Sequence, residues 1–122
     1  MTFFRPFLFL AAMLLSINLA HAVDRSGTFR GEAGEQVRGT AQVVEQNGKT
    51  VIKLGGGFRS SSGPDLFVFV GNGSPQRQVA KLRRNNGSQT YTLPAGISPS
   101  QFSTVFIHCK RYNHIFGRAK LR

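Results

Sequence analysis

The sequence predicts an all-β fold, a single-domain antiparallel β-sandwich or a small closed barrel. Three observations carry that expectation. Every glycine lies beyond residue 22, and with Asn and Pro the glycines punctuate the chain from Gly31 and Gly34 to Pro94 and Pro99. The runs between them are rich in Val, Ile, Phe, Thr and Tyr, the composition of strands. No stretch sustains a helical period, and the short spacing of the turns leaves little room for a crossover helix. A chain of 122 residues has room for one domain, whose core buries roughly 65% of the extended-chain surface.

The chain opens with MTFFRPFLFLAAMLLSINLAHA, residues 1–22. One cation, Arg5, precedes an apolar run from Phe7 to Leu15, and Ala20-His21-Ala22 supplies a small-x-small cleavage pattern. A membrane span needs about 20 apolar residues, and Ser16, Asn18 and His21 interrupt this run too early. The expectation is a signal peptide over 1–22 and a β domain over 23–122, secreted or periplasmic, and not an integral membrane protein.

Within the domain, Asn47-Gly48 suits a two-residue type I′ hairpin turn. That turn pairs Gln46 with Lys49, Val44 with Val51, Val43 with Ile52 and Ala41 with Leu54. Ala41, Val43, Ile52 and Leu54 then share one face, and Gln42, Gln46, Lys49 and Lys53 the other, so turn chemistry and burial agree on one register. Gly55-Gly56-Gly57 opens no helix and lacks dinucleotide-loop spacing, which leaves a glycine bend. Leu66–Val70 is apolar on both sides and predicts a central strand, as does Thr104–Cys109. Near the end, Arg118, Lys120 and Arg122 alternate with Ala119 and Leu121, which predicts a strand with a basic outer row and an apolar inner one.

Charge and chemistry come next. Lys and Arg number 16 against 5 acids, a net charge of +11. No acid follows Asp65, whereas Arg77, Lys81, Arg83, Arg84, Lys110, Arg111, Arg118, Lys120 and Arg122 do. Such a balance either keeps a small domain soluble or meets an anionic partner: phospholipid, polysaccharide or an acidic redox protein. No base-stacking motif accompanies the charge, so nucleic acid is not expected. Asp24, Glu32, Glu35, Glu45 and Asp65 form no pair placed for acid–base work, and no enzyme is expected.

One cysteine excludes an intrachain disulfide, a C-x-x-C redox pair and c-type haem attachment. Cys109 admits two descriptions. Alternation with Val105 and Ile107 makes it a buried thiol packing as a small hydrophobe. Lys110, Arg111 and His114 nearby in sequence would instead favour a thiolate. Partial exposure at the strand end would let the cations prevail and make the sulfur reactive. His108 and His114 are candidate ligands or proton carriers, although alternation turns His108 away from the sulfur. Once the expected leader and its His21 are removed, two His and one Cys remain and fall short of a tetrahedral zinc set. A thiolate-ligated haem needs only one Cys, and nothing in the sequence requires it.

Four blocks in order resemble a known family: Ser62-Gly63-Pro64-Asp65-Leu66-Phe67-Val68, Gly87–Pro94, Phe102–Cys109 and Phe116–Leu121. Together they are similar to the DM thirteen domain, a secreted or surface all-β module. That family is named in connection with extracellular electron transfer and with Skeletor-type animal proteins. Gly27-Thr28-Phe29 and Val37–Ala41 match its opening strands more loosely. The resemblance implies a redox or electron-transfer association through the cysteine, as a bare thiol or through a bound group such as haem, and it maps that cysteine onto Cys109. The residue before the family cysteine is commonly Trp, and here it is His108. The alternative is a non-redox binding or adhesion module whose basic face, from Lys110 and Arg111 to Arg118, Lys120 and Arg122, docks anionic surfaces.

Overall fold

A computed structural model describes residues 25–122; the expected signal peptide and its cleavage point lie outside the described residues. Ten strands follow one another: β1 (Arg25–Gly31), β2 (Val37–Arg38), β3 (Thr40–Gln46), β4 (Lys49–Leu54), β5 (Arg59–Ser60), β6 (Leu66–Gly71), β7 (Arg77–Lys81), β8 (Gln89–Thr92), β9 (Thr104–Cys109) and β10 (His114–Lys120). A single 3₁₀ turn, Pro99–Gln101, precedes β9. Eight strands form one antiparallel sheet in the order β7-β6-β9-β10-β1-β3-β4-β8, and β2 pairs with β5 separately. The sheet coils into a nearly closed barrel, the second of the two architectures the sequence predicts.

The hairpin forms as the turn chemistry requires. Asn47 and Gly48 have φ of 55° and 78°, the two positive values of a type I′ turn. The pairs Gln46–Lys49, Val44–Val51, Val43–Ile52 and Ala41–Leu54 are all present. The outer side is less polar than its alternation suggests: Val51 is buried because β8 continues the sheet beside it, setting Thr92 opposite.

Strand β1 joins the two halves of the barrel. Its first residues pair with β3, Arg25 to Val43 through Thr28 to Thr40, and its last with β10, Phe29 to Ala119 through Gly31 to Gly117. The strand passes β10 so closely at Gly27 that a Cβ there would lie 2.1 Å from the Lys120 carbonyl oxygen. Glycine is what permits this bend.

β10 carries a bulge between Ile115 and Gly117. Two residues, Phe116 and Gly117, oppose Ile107, so the inside–outside parity of the strand changes there. The bulge lets Phe116 enter the core while still placing Ala119 and Leu121 inside and Arg118, Lys120 and Arg122 outside. Without it, burying Phe116 would turn the arginines inward.

Inside the barrel, Phe29, Val43, Ile52, Leu54, Val68, Val70, Tyr91, Val105, Ile107 and Phe116 form one continuous core. The seam between β7 and β8 is not closed by ladder hydrogen bonds. Instead the Arg83 amide donates to Tyr91 Oη at 3.0 Å, Gln89 Nε2 donates to the Arg84 carbonyl at 2.9 Å, and the Tyr91 hydroxyl donates to Gln89 Oε1. Tyr91 and Gln89 are buried, and this network satisfies polar atoms that a closed ladder would otherwise serve.

Candidate functional site

Cys109 ends β9 and points into the barrel beside Val105 and Ile107, as strand alternation demands. The expected partial exposure is absent: the residue is 1% exposed and belongs to the core. Strand ends fray where neighbours stop short, and here neither neighbour does. Leu66 of β6 and His114 of β10 both pair with Cys109 itself, and the Lys110 amide donates to the Asp65 carbonyl at 2.9 Å, one residue further on.

The cations next to the cysteine in sequence are not around its sulfur. Lys110 lies on the outer surface with its Nζ 5.1 Å from the Phe67 ring centre, and the Arg111 guanidinium sits 5.9 Å from that of Tyr112. Phe67 is half-buried and Tyr112 exposed, so both cations are held at the surface while the thiol is in the core.

His114 is the group the ladder does place opposite Cys109, on the same side of the sheet. Its Nε2 lies 3.3 Å from Glu35 Oε2, and its ring meets Phe116 edge to face at 5.3 Å. Thiol, imidazole and carboxylate therefore follow one another at this end of the barrel. Sequence reasoning missed Glu35, which reaches His114 from the loop between β1 and β2. That loop turns through Ala33 and Gly34 at positive φ, and nothing local to β10 signals its approach.

His108 faces the other way. On the outer surface it pairs with Phe67 and Ile115 and lies edge to face with Phe69, ring centres 5.1 Å apart. It is 4% exposed, and its Nδ1 has no hydrogen-bond partner. Burial pushes this imidazole below its usual pKa; Asn113 beside it pulls the other way, and His114 adds a smaller lowering. Two of the three site candidates, Cys109 and His114, thus share a face, and the third is divided from them by the sheet.

The five cations expected to form one basic face fall into two groups. Lys110 and Arg111 occupy the β9–β10 turn, and Lys120 and Arg122 the far end of β10, about 20 Å away at the rise of a strand. Arg118 is not free. Its guanidinium makes a paired contact with both Glu32 oxygens, donates from Nη1 to the Gly73 carbonyl at 3.0 Å, and stacks 5.0 Å from the Phe106 ring centre. Two residues that the sequence reading left out join this row, Thr28 and Arg30 of β1. Arg30 stands directly opposite Arg118, and a cavity of about 330 Å³ is lined by Thr28, Arg30, Arg118, Lys120 and Arg122. The alternation of Thr28 and Arg30 about the inward Phe29 was legible, whereas the pairing of β1 with β10 was not.

Among the described residues no three His, Cys, Asp or Glu side chains gather as a metal site, and no helix is long and apolar enough to cross a membrane. Comparison with curated proteins and with solved structures gave no match. The family model described as Electron transfer DM13 does match, over residues 28–121. That span takes in every strand from late β1 to β10, together with Cys109, His108 and the basic row except Arg122, and the chain belongs to the DM13 electron-transfer family.

Proposed function

We propose that the chain is an exported single-domain electron-transfer protein in which Cys109 is the redox residue and His114 its proton carrier. The observation that supports this reading is the pairing of Cys109 with His114 on one face, with Glu35 holding the imidazole. An oxidised partner protein takes one electron from the thiol, and His114 takes its proton. Enclosure of the sulfur disfavours thiol–disulfide exchange, which needs direct attack on it, but leaves electron transfer through the barrel wall available. A haem is not required for this chemistry.

The test compares the secreted protein with Cys109→Ala, using ferricyanide as one-electron acceptor. The wild type should reduce it and the variant should not; equal reduction by both would remove Cys109 from the redox role. Intact mass of the same secreted material should begin at Val23, and retention of residues 1–22 would turn the leader into an anchor.

A second reading, the non-redox docking module, is favoured by the four cations around the β1–β10 cavity. In that reading the domain binds an anionic surface through this row while Cys109 serves only as core. Binding of anionic vesicles or polyanions that weakens steeply with salt, and survives Cys109→Ala, would support it.

A further inference from the structure

We propose that the groove between β1 and β10 is a binding site for a linear acidic polysaccharide; this rests on the docking reading and names its ligand class. Arg30 and Arg118 are direct cross-strand neighbours, an arrangement of like charges that costs stability unless an anion lies between them. Glu32 answers only Arg118. Arg30, Lys120 and Arg122 are exposed, and none of them is in a salt bridge among the described residues.

The geometry suits an extended chain of oxyanions. Arg118, Lys120 and Arg122 follow one another at every second residue, a repeat of roughly 6.6–6.8 Å along a strand, with Arg30 alongside. Arg118 is fixed in place by Glu32, the Gly73 carbonyl and Phe106, so it forms a rigid floor, while the forks of Arg30 and Arg122, in no ion pair among the described residues, can each bind a carboxylate with two hydrogen bonds. Thr28 adds a hydroxyl able to donate to or accept from sugar hydroxyls. A lipid surface fits less well, because membrane contact adds apolar side chains to the charge. The one large apolar side chain exposed among the described residues, Tyr112 at 65%, sits at the opposite end of β10.

Fluorescent oligogalacturonate, read by anisotropy against the full secreted chain, tests the site beside phosphatidylglycerol vesicles and poly-glutamate. The oligosaccharide should bind, and Arg30→Gln with Lys120→Gln should weaken it by at least about tenfold. Lys49→Gln with Lys53→Gln, the same change in net charge on the early hairpin, should cost less than about twofold. In the unmodified chain, amide shifts should gather at Thr28, Arg30, Lys120 and Arg122. Equal loss from both double variants, or shifts spread equally over Lys49 and Lys53, would show diffuse attraction and overturn the site. Tighter binding of vesicles or poly-glutamate with the same residue dependence would overturn the polysaccharide but keep the docking reading, and binding of none of the three would end both.

Discussion

His108 and Phe69 meet edge to face on the outside of the barrel, ring centres 5.1 Å apart, and their contact helps to seal an imidazole nitrogen away from any hydrogen-bond partner. A polar atom buried without a partner is a standing cost. Around it are Phe67, Phe106 and Ile115, so the position favours an aromatic side chain, which accords with the Trp that commonly precedes the family cysteine. His108→Phe should therefore stabilise the domain by about 1 kcal/mol, seen as a raised midpoint in urea unfolding. A lowered midpoint would mean that Nδ1 is satisfied in solution.

The same residue sets a pH dependence. Its pKa in the fold lies below the ordinary 6.5, so below that pH the unfolded chain binds a proton that the native state resists. Stability should be level above about pH 7 and fall as pH drops through 6.5 toward the lower native value. In His108→Phe this part of the slope should vanish. Urea midpoints measured between pH 7.5 and 5 decide it, and an unchanged slope would assign the loss to other groups.

Cys109 should be protected by the fold. At 1% exposure its sulfur should react with a thiol reagent only through opening of the barrel end, far more slowly than a free cysteine. Cys109→Ser should destabilise more than Cys109→Ala, by about 1 kcal/mol or more, because it brings a hydroxyl into the core. Free-cysteine rates in the native protein would place the thiol in solvent and overturn its burial.

Glu32 should work for the fold and against the groove. Its contact with Arg118 is two-pronged but partly exposed, so a double-mutant cycle should return about 1 kcal/mol. Glu32→Gln removes the acid that pairs with a cation of this row, and polyanion binding should tighten in the same variant that loses stability. Weaker binding would show that Glu32 orients Arg118 for the ligand and that its charge matters less.

Gly27→Ala should cost about 1–3 kcal/mol, since its Cβ would lie 2.1 Å from a backbone oxygen that cannot swing aside. Gly34, with open space around it, bears a positive φ of 86°, so Ala there strains only the turn. Thermal unfolding of the two variants should show the larger loss at Gly27.

The chain by itself determined what depends on neighbours in sequence. Asn47-Gly48 sets a turn, the turn sets a register, and the register agrees with the apolar pattern of Ala41, Val43, Ile52 and Leu54; each step needs only local sterics and burial. Alternation likewise sufficed to turn Cys109 inward, His108 outward and the last three cations to one side. The tertiary structure decided everything that depends on which strands become neighbours. Cys109 is enclosed because Leu66 and His114 flank it, Lys110 and Arg111 stack on Phe67 and Tyr112 at the surface, and Glu35 reaches His114 across 79 residues of chain. Arg30 enters the basic row, and Arg118 is neutralised by Glu32, only because β1 pairs with β10. Sequence periodicity tells which way a side chain points from its own strand. What stands opposite depends on the closure of the barrel, a property of the whole chain that no local pattern encodes.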